Sequence, residues 1–259
     1  MNWKLISWNV NGIRAAEKKG FVEWLLASGA DLLAVQETKA HPDQLSSALL
    51  NPAGYQAAWN SAEKKGYSGT VTYSRHKPIK VIAGLNDSRF DTEGRVLIHE
   101  FEAFVFFNIY FPNGGRGPEW VAHKLAFYRR FLAVAQGYMQ AGRPVIATGD
   151  FNTAYAEIDL ARPKENEKVS GFLPEERAWI DQFISHGYID TFRMFHKKGG
   201  HYSWWDLKSG ARERNVGWRI DYFFVSENLL DRIESASILP EVMGSDHCPI
   251  GIQIRMDNA

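Results

Sequence analysis

Cysteine is almost missing from this chain: Cys248 is the only one in 259 residues. No disulfide can form within it, which excludes a disulfide-stapled scaffold and suits a reducing cytosol. Charge of one sign is missing too, because thirty Lys and Arg balance thirty Asp and Glu. A net charge near zero gives no global attraction to nucleic acid, so any such binding needs a local basic patch. Long apolar runs are also lacking. No stretch approaches the ~18 consecutive apolar residues of a membrane span. The N-terminus runs almost at once into a strand-like segment, Trp3 to Trp8, without a charged region and apolar run before it, so no secretory signal is expected. No linker or low-complexity shift breaks the chain, and one domain over residues 1–259 is expected.

What is there is ordinary in bulk and informative in detail. Apolar residues make up 45% and charged residues 23%, as in a typical soluble globular protein. The length fits one large α/β or all-β domain or two small ones, and it can bury a sizeable core. Buried-strand runs recur, among them Lys4–Trp8, Leu32–Val35, Thr70–Ser74, Ile79–Ile82, Arg95–Glu100, Phe104–Tyr110, Arg219–Val225, Ser235–Leu239 and Ile250–Ile254. Apolar spacing predicts helices over Gly20–Ala30, Asp43–Leu50, Pro118–Gln140 and Pro174–His186. Ala161–Gly171 reads as a polar loop, Asp190–Tyr202 as irregular, and Trp204–Trp218 as a loop dense in aromatics and arginines. Many strands with a few helices favour two stacked sheets with helices outside.

One stretch organises the rest. Val145-Ile146-Ala147 reads as a strand buried on both faces, and Gly149 is expected to end it. Asp150 and Asn152 follow two apart, so on an extended backbone they project to one side. Alone they could be turn residues. A weak echo lies in Trp8-Asn9-Val10-Asn11-Gly12, again a strand followed by two polar residues two apart.

Other apolar runs deliver polar residues in the same way. Together Asn9, Asn11, Glu37, Tyr110, Asn113, Asp150, Asn152, Asp221, Asp246 and His247 imply one polar rim above a sandwich. The set is rich in carboxylate and amide oxygen and poor in Cys and His. That favours a hard cation, Mg²⁺ or Mn²⁺, over zinc. A cation, an activated water and donors for developing charge are what metal-assisted phosphodiester cleavage requires.

The motifs in order are Ser7-Trp8-Asn9-Val10-Asn11-Gly12-Ile13-Arg14, Gln36-Glu37-Thr38-Lys39, Gly66-Tyr67-Ser68-Gly69, Tyr110-Phe111-Pro112-Asn113-Gly114-Gly115-Arg116-Gly117, Gly149-Asp150-Phe151-Asn152, Glu157-Ile158-Asp159-Leu160, Asn215-Val216-Gly217-Trp218-Arg219-Ile220-Asp221-Tyr222 and Gly244-Ser245-Asp246-His247-Cys248-Pro249. Carrying them, the chain resembles the exonuclease III class of abasic-site (AP) endonucleases, within the endonuclease/exonuclease/phosphatase superfamily. The resemblance implies a four-layer α-β-β-α sandwich, two mixed sheets flanked by helices, DNase I-like. It implies cleavage of duplex DNA 5′ to abasic sites with Mg²⁺, for which Mn²⁺ can substitute, with 3′→5′ exonuclease and 3′-phosphatase work as companions. It also implies a monomer acting in the cytoplasm with DNA and no membrane.

The roles it implies are specific. Glu37 is the main metal carboxylate, with Asn11, Asp150, Asn152, Asp246 and His247 in or near the metal set. Tyr110, Asp150, Asn152, Asp221 and His247 are catalytic, Asp221 orienting the imidazole and either Asp150 or His247 serving as base. Asn9, Arg14, Lys39, Tyr67, Asn113, Arg116 and Lys168 contact phosphate or DNA. Tyr202, Trp204 and Trp218 wall a pocket for a flipped-out, base-free sugar; their bland reading is core packing. Some relatives carry Asp where Asn11 stands, and an amide is a weaker ligand. Lys208 and Ser209 replace bulky residues that wedge into DNA, so no wedge is expected of them. Arg162 and Val169 replace asparagines, and Cys248 reads as a small buried residue. The rival readings are a phosphoesterase acting on an inositol phosphate or lipid, and a non-catalytic DNA-binding scaffold.

Overall fold

The structure is a computed structural model that describes residues 2–208 and 210–256; Ser209 therefore lies outside the described residues. The strands are, in chain order, Asn2–Asn9 (β1), Leu32–Gln36 (β2), Gln56–Asn60 (β3), Thr70–Ser74 (β4), Lys80–Ala83 (β5), Val96–Glu100 (β6), Val105–Tyr110 (β7), Val145–Asp150 (β8), Tyr188–Asp190 (β9), Trp204–Trp205 (β10), Gly217–Trp218 (β11), Asp221–Ser226 (β12), Ile233–Ile238 (β13) and Ile250–Arg255 (β14). The α-helices are Ile13–Glu17 (α1), Phe21–Ser28 (α2), Ser47–Leu50 (α3), Ser88–Asp91 (α4), Pro118–Gln140 (α5), Pro163–Asn166 (α6), Pro174–Ser185 (α7) and Thr191–Phe195 (α8).

Two six-stranded sheets form, in the orders β13-β14-β1-β2-β4-β3 and β5-β6-β7-β8-β12-β9. Each is mixed: β1 pairs parallel with β2 and β7 parallel with β8, and the other pairs are antiparallel. Three apolar layers follow from side-chain alternation. Leu5, Phe104, Phe106, Ile146, Phe223 and Ile252 fill the space between the sheets. Phe127, Phe131, Trp179 and Phe183, from α5 and α7, cover the second sheet. Phe21 and Leu25, from α2, cover the first. This is the four-layer sandwich. Toward one end the inter-sheet layer turns polar, where Gln36 Nε2 donates to Asn108 Oδ1 at 2.8 Å and to Ser7 Oγ at 3.0 Å.

The local readings need corrections. The 43–50 helix is two pieces: a 3₁₀ turn at Pro42–Gln44 and then α3, because Leu45 and Ser46 are extended and Ser46 Oγ caps the Leu49 N–H. The supposedly irregular 190–202 segment opens with α8, whose first amides are capped by Asp190. The aromatic loop is a hairpin, with Trp204 paired to Trp218. Gly149 does not end its strand but lies inside β8, at φ +141°. A Cβ there would stand 1.8 Å from the Ile109 carbonyl of β7, so only glycine admits the neighbouring strand.

Candidate active site

Strand register assembles the site. Asp150, the last residue of β8, lies opposite Tyr110 on one side and Asp221 on the other. Asn9 ends β1 and lies beside Gln36, one residue before Glu37. The two sheets meet here, where Asn9 Nδ2 donates to Asp150 Oδ2 and to Glu37 Oε1, each at 2.9 Å.

Asp150 and Asn152 are not brought together by extended alternation. Asn152 is left-handed at φ +52°, and its N–H donates to Asp150 Oδ1 at 2.8 Å. The echo at β1 has the same build: Asn11 has φ +48°, and its N–H donates to Asn9 Oδ1 at 3.0 Å. Short polar side chains tolerate this conformation and bond their own backbone two residues on. Asn152 Nδ2 also donates to the Phe111 carbonyl at 2.8 Å, and its Oδ1 accepts from Asn113 Nδ2 at 2.9 Å.

Charge is concentrated in little space. His247 is 4% exposed and Asp150 1%. His247 Nδ1 lies 2.9 Å from Asp221 Oδ2, and its Nε2 lies 3.8 Å from Asp150 Oδ2. Ser203 Oγ donates to the same Asp221 oxygen at 2.6 Å. Burial pushes the Asp150 carboxyl up, to about 7, with Asp221 and Glu37 adding repulsion and His247 opposing. Burial works against a charged His247, yet Asp221 and Asp150 outweigh it and hold the ring up to about 10. Burial opposes ionisation of Glu37 and Asp246 as well, but their cationic and hydrogen-bonding neighbours hold both below the usual range. Burial and nearby Glu37 push the Tyr110 phenol well up, so at neutral pH it is a hydroxyl able to donate.

A ligand atom from each of Glu37, Asp150 and His247 lies within 4.8 Å of the others, a grouping that could hold a metal ion. The donor set fits a hard cation through its two carboxylates. A charged ring cannot ligate, so His247 would join this grouping only as the neutral imidazole. Asp246 lies outside the grouping, its oxygens engaged by Asn11 Nδ2 and Trp204 Nε1 at 3.0 Å each. Asn11 bridges Asp246 to Lys39, which also pairs with Glu37 Oε2 at 2.7 Å.

A cavity of about 320 Å³ opens above these groups. Its polar lining includes Glu37, Tyr110, Asn113, Asp150, Asn152 and His247, and its apolar lining Val169, Trp204, Trp218 and Ile220. Tyr202 is not among them. It packs with Trp205, Ala211 and Cys248, and Ile220 lines the cavity with the two tryptophans. Cys248 is fully buried, as expected of a packing residue. Arg14 and Lys39 line a separate groove of about 610 Å³, and Lys168 one of about 530 Å³ beside Gly114 and Gly115. Arg116 is exposed and its guanidinium stacks on Trp120 at 4.9 Å. Sequence reasoning missed Arg95. It is buried, donates to the Tyr67 hydroxyl at 2.7 Å and to the Tyr110 carbonyl at 3.2 Å, and stacks on both rings. It also missed Ser203. Arg95 opens a run that reads only as strand and Ser203 falls between two segments that read as irregular or loop, without a motif to mark either.

Two stacked sheets whose meeting edge holds a buried acid–imidazole pair, a metal-capable carboxylate and an open cavity define a hydrolytic enzyme. The Endonuclease/Exonuclease/phosphatase family matches residues 6–247. The chain belongs to that family, on its exonuclease III branch. It is 44% identical over 255 residues to an exodeoxyribonuclease of Bacillus subtilis, covering 98% of this chain and 100% of that one. It is 38% identical to a DNA-(apurinic or apyrimidinic site) endonuclease of Dictyostelium discoideum, covering 98% of this chain and 71% of the relative. The solved structure of the 3′ phosphatase NExo from Neisseria, bound to a product DNA hairpin, superposes with a TM-score of 0.90 at 25% identity, covering 98% of this chain and 100% of that one.

Proposed function

We propose that this nuclease hydrolyses the backbone of duplex DNA 5′ to an abasic site, with Mg²⁺ or in its place Mn²⁺, leaving a 3′-hydroxyl. The observation that carries the reading is the cavity, whose lining joins the charged Glu37, Asp150 and His247 to an apolar wall of Trp204, Trp218 and Ile220. A sugar without a base offers an apolar face to that wall while its phosphate meets the charged groups.

Glu37 is the main metal carboxylate, with Asp150 beside it. The cation would polarise a phosphoryl oxygen and offset charge on the leaving group. Asp150 is the base: its carboxylate ends β8 at the cavity and accepts from the Asn152 N–H, which places it to take a proton from a water there. Asn152 orients that water. His247, held charged by Asp221, donates to a phosphoryl oxygen, and the Tyr110 hydroxyl and Asn113 amide supply further donors. Water is the nucleophile, so no covalent enzyme intermediate forms. Asn9 braces Glu37 against Asp150. Arg14, Lys39, Tyr67, Arg116 and Lys168 contact the duplex, positioning rather than specifying it.

The relatives' names favour a second activity at the same site, 3′-end processing, since removal of a 3′-nucleotide or 3′-phosphate needs the same attack on phosphorus. Purified protein tested side by side on abasic, recessed 3′-end and 3′-phosphate duplexes decides between them. Fastest turnover on the abasic duplex is expected; no nicking there overturns the reading. The same proposal has the chain act as a monomeric single domain, in the cytoplasm with DNA, so sedimentation should find one chain per abasic site.

A further inference from the structure

Behind the catalytic turn lies an ion pair that the mechanism above leaves unused. Lys124, on α5, and Glu176, on α7, are wholly buried, with Nζ and Oε1 2.7 Å apart. Both are saturated. Lys124 Nζ also donates to the Asn152 carbonyl at 2.7 Å and to Thr153 Oγ1 at 2.8 Å, which uses all three of its protons. Glu176 Oε1 accepts from Ser170 Oγ at 2.8 Å, and Oε2 accepts from the N–H groups of Gly171 at 2.5 Å and Leu173 at 3.1 Å.

These bonds converge on two segments only. One is the turn that carries Asn152. The other is 170–173, which begins at the cavity wall. The two also touch directly: the Ala154 N–H donates to the Gly171 carbonyl at 2.8 Å, and a Cβ on Gly171 would come within 3.3 Å of both the Asn152 carbonyl and the Trp218 ring. A buried ion pair is weak evidence for stability, because an apolar pair of similar volume often serves as well. Position is the better account of this one.

We propose that Lys124 and Glu176 are positioning residues that set the gap between the Asn152 turn and the cavity wall, and so hold the cavity to the width of a sugar without its base. The inference rests on the abasic-site reading above. With the pair gone, segment 170–173 is no longer tied to the turn. The cavity then admits a base-bearing nucleotide more readily, and the turn places water less well.

The test compares Lys124→Met, Lys124→Arg and the double variant Lys124→Met/Glu176→Gln, which leaves no buried charge unpaired should the single variant fail to fold. Each is assayed on an abasic duplex and on a recessed 3′ end of normal nucleotides. Lys124→Met and the double variant are expected to shift the ratio of exonuclease to abasic cleavage at least about tenfold toward the base-bearing end, with kcat on the abasic duplex falling more than KM rises. Lys124→Arg keeps a charged donor opposite Glu176, though on a longer, planar head, and should bring the ratio back toward the wild-type value. A merely structural role lowers both activities by one factor; an unchanged ratio overturns the proposal. Hydrogen exchange gives a readout free of the substrate. Faster exchange confined to the amides of Ala154, Gly171 and Leu173 supports positioning, and faster exchange spread through both sheets overturns it. If the wild type leaves the abasic duplex uncut, the functional reading fails, and the exchange pattern alone decides the role of the pair.

Discussion

Asp221→Asn should discharge His247 without moving it. The carboxylate accepts from Nδ1 at 2.9 Å, and an amide oxygen can accept in its place. What is lost is charge. At an effective dielectric of about 20, a unit charge at 2.9 Å attracts the imidazolium by about 6 kcal/mol, and the Asp150 oxygen at 3.8 Å adds about 4. Burial of the ring takes back several kcal/mol. The remainder is close to the 5 kcal/mol or so implied by a ring held up to about 10 against an ordinary 6.5. Without the Asp221 charge, the attraction of Asp150 no longer covers the cost of burial, and the ring should titrate at about 6 or below. Imidazole ¹⁵N shifts followed against pH in metal-free protein read this directly. Wild-type His247 should stay charged through neutral pH, and the variant ring should be neutral at about pH 7.5. Turnover should fall at least about a hundredfold, because a neutral ring is a poorer donor to a phosphoryl oxygen. A wild-type ring titrating near 6.5, or a variant ring still charged, would refute the electrostatic reasoning.

Gly149→Ala should unfold or destabilise the chain by more than about 3 kcal/mol in urea titration, since it combines a positive-φ strain with a Cβ overlapping the Ile109 carbonyl; a loss under about 1 kcal/mol would mean that the two strands can separate cheaply. Arg116→Ala should weaken duplex binding and reduce the salt slope by about one unit, and an unchanged slope would place Arg116 off the phosphates. Stability should fall in mild acid through His99, whose ring is 1% exposed and held down to about 4 by burial. Because the unfolded ring takes a proton near 6.5 and the folded one does not, the contribution of His99 is full above about 6.5 and is lost by about pH 4, roughly 3 kcal/mol, against an opposite contribution from Asp150, whose folded carboxyl is raised to about 7. His99→Phe should flatten that part of the profile, and an unaltered profile would exclude His99 as its cause.

Much of the scaffold was legible because local signals agreed with tertiary demand. Helix α5 has the predicted bounds, Pro118 to Gln140, since Pro118 fits a first turn and the chain turns left-handed soon after, at Gly142. Helix α8 was not legible. It spans five residues, too few for periodicity, and rests on its Asp190 cap and on Phe192 in the inter-sheet core. The rim was legible as a set of residue types, but its geometry was not. Nothing local says that Asp150 faces Asp221 across β8 and β12, or that Asn9 joins the sheets through two carboxylates. Tyr202 shows the limit most plainly. It sits beside two tryptophans in the same aromatic run, yet the hairpin turns it toward Cys248 while Trp204 lines the cavity. Alternation and hairpin pairing decide that, and they are set by partners far along the chain.

The central claim is hydrolysis 5′ to an abasic site by a metal-dependent centre built on Glu37 and Asp150. The most direct measurement is nicking of a duplex with one abasic site by purified protein, in Mg²⁺, in chelator, and in chelator followed by excess Mg²⁺. The account predicts a single cut 5′ to the site with a 3′-hydroxyl in Mg²⁺, no cut in chelator, and full recovery on adding Mg²⁺ back. Unchanged nicking in chelator, or an intact duplex throughout, would contradict it.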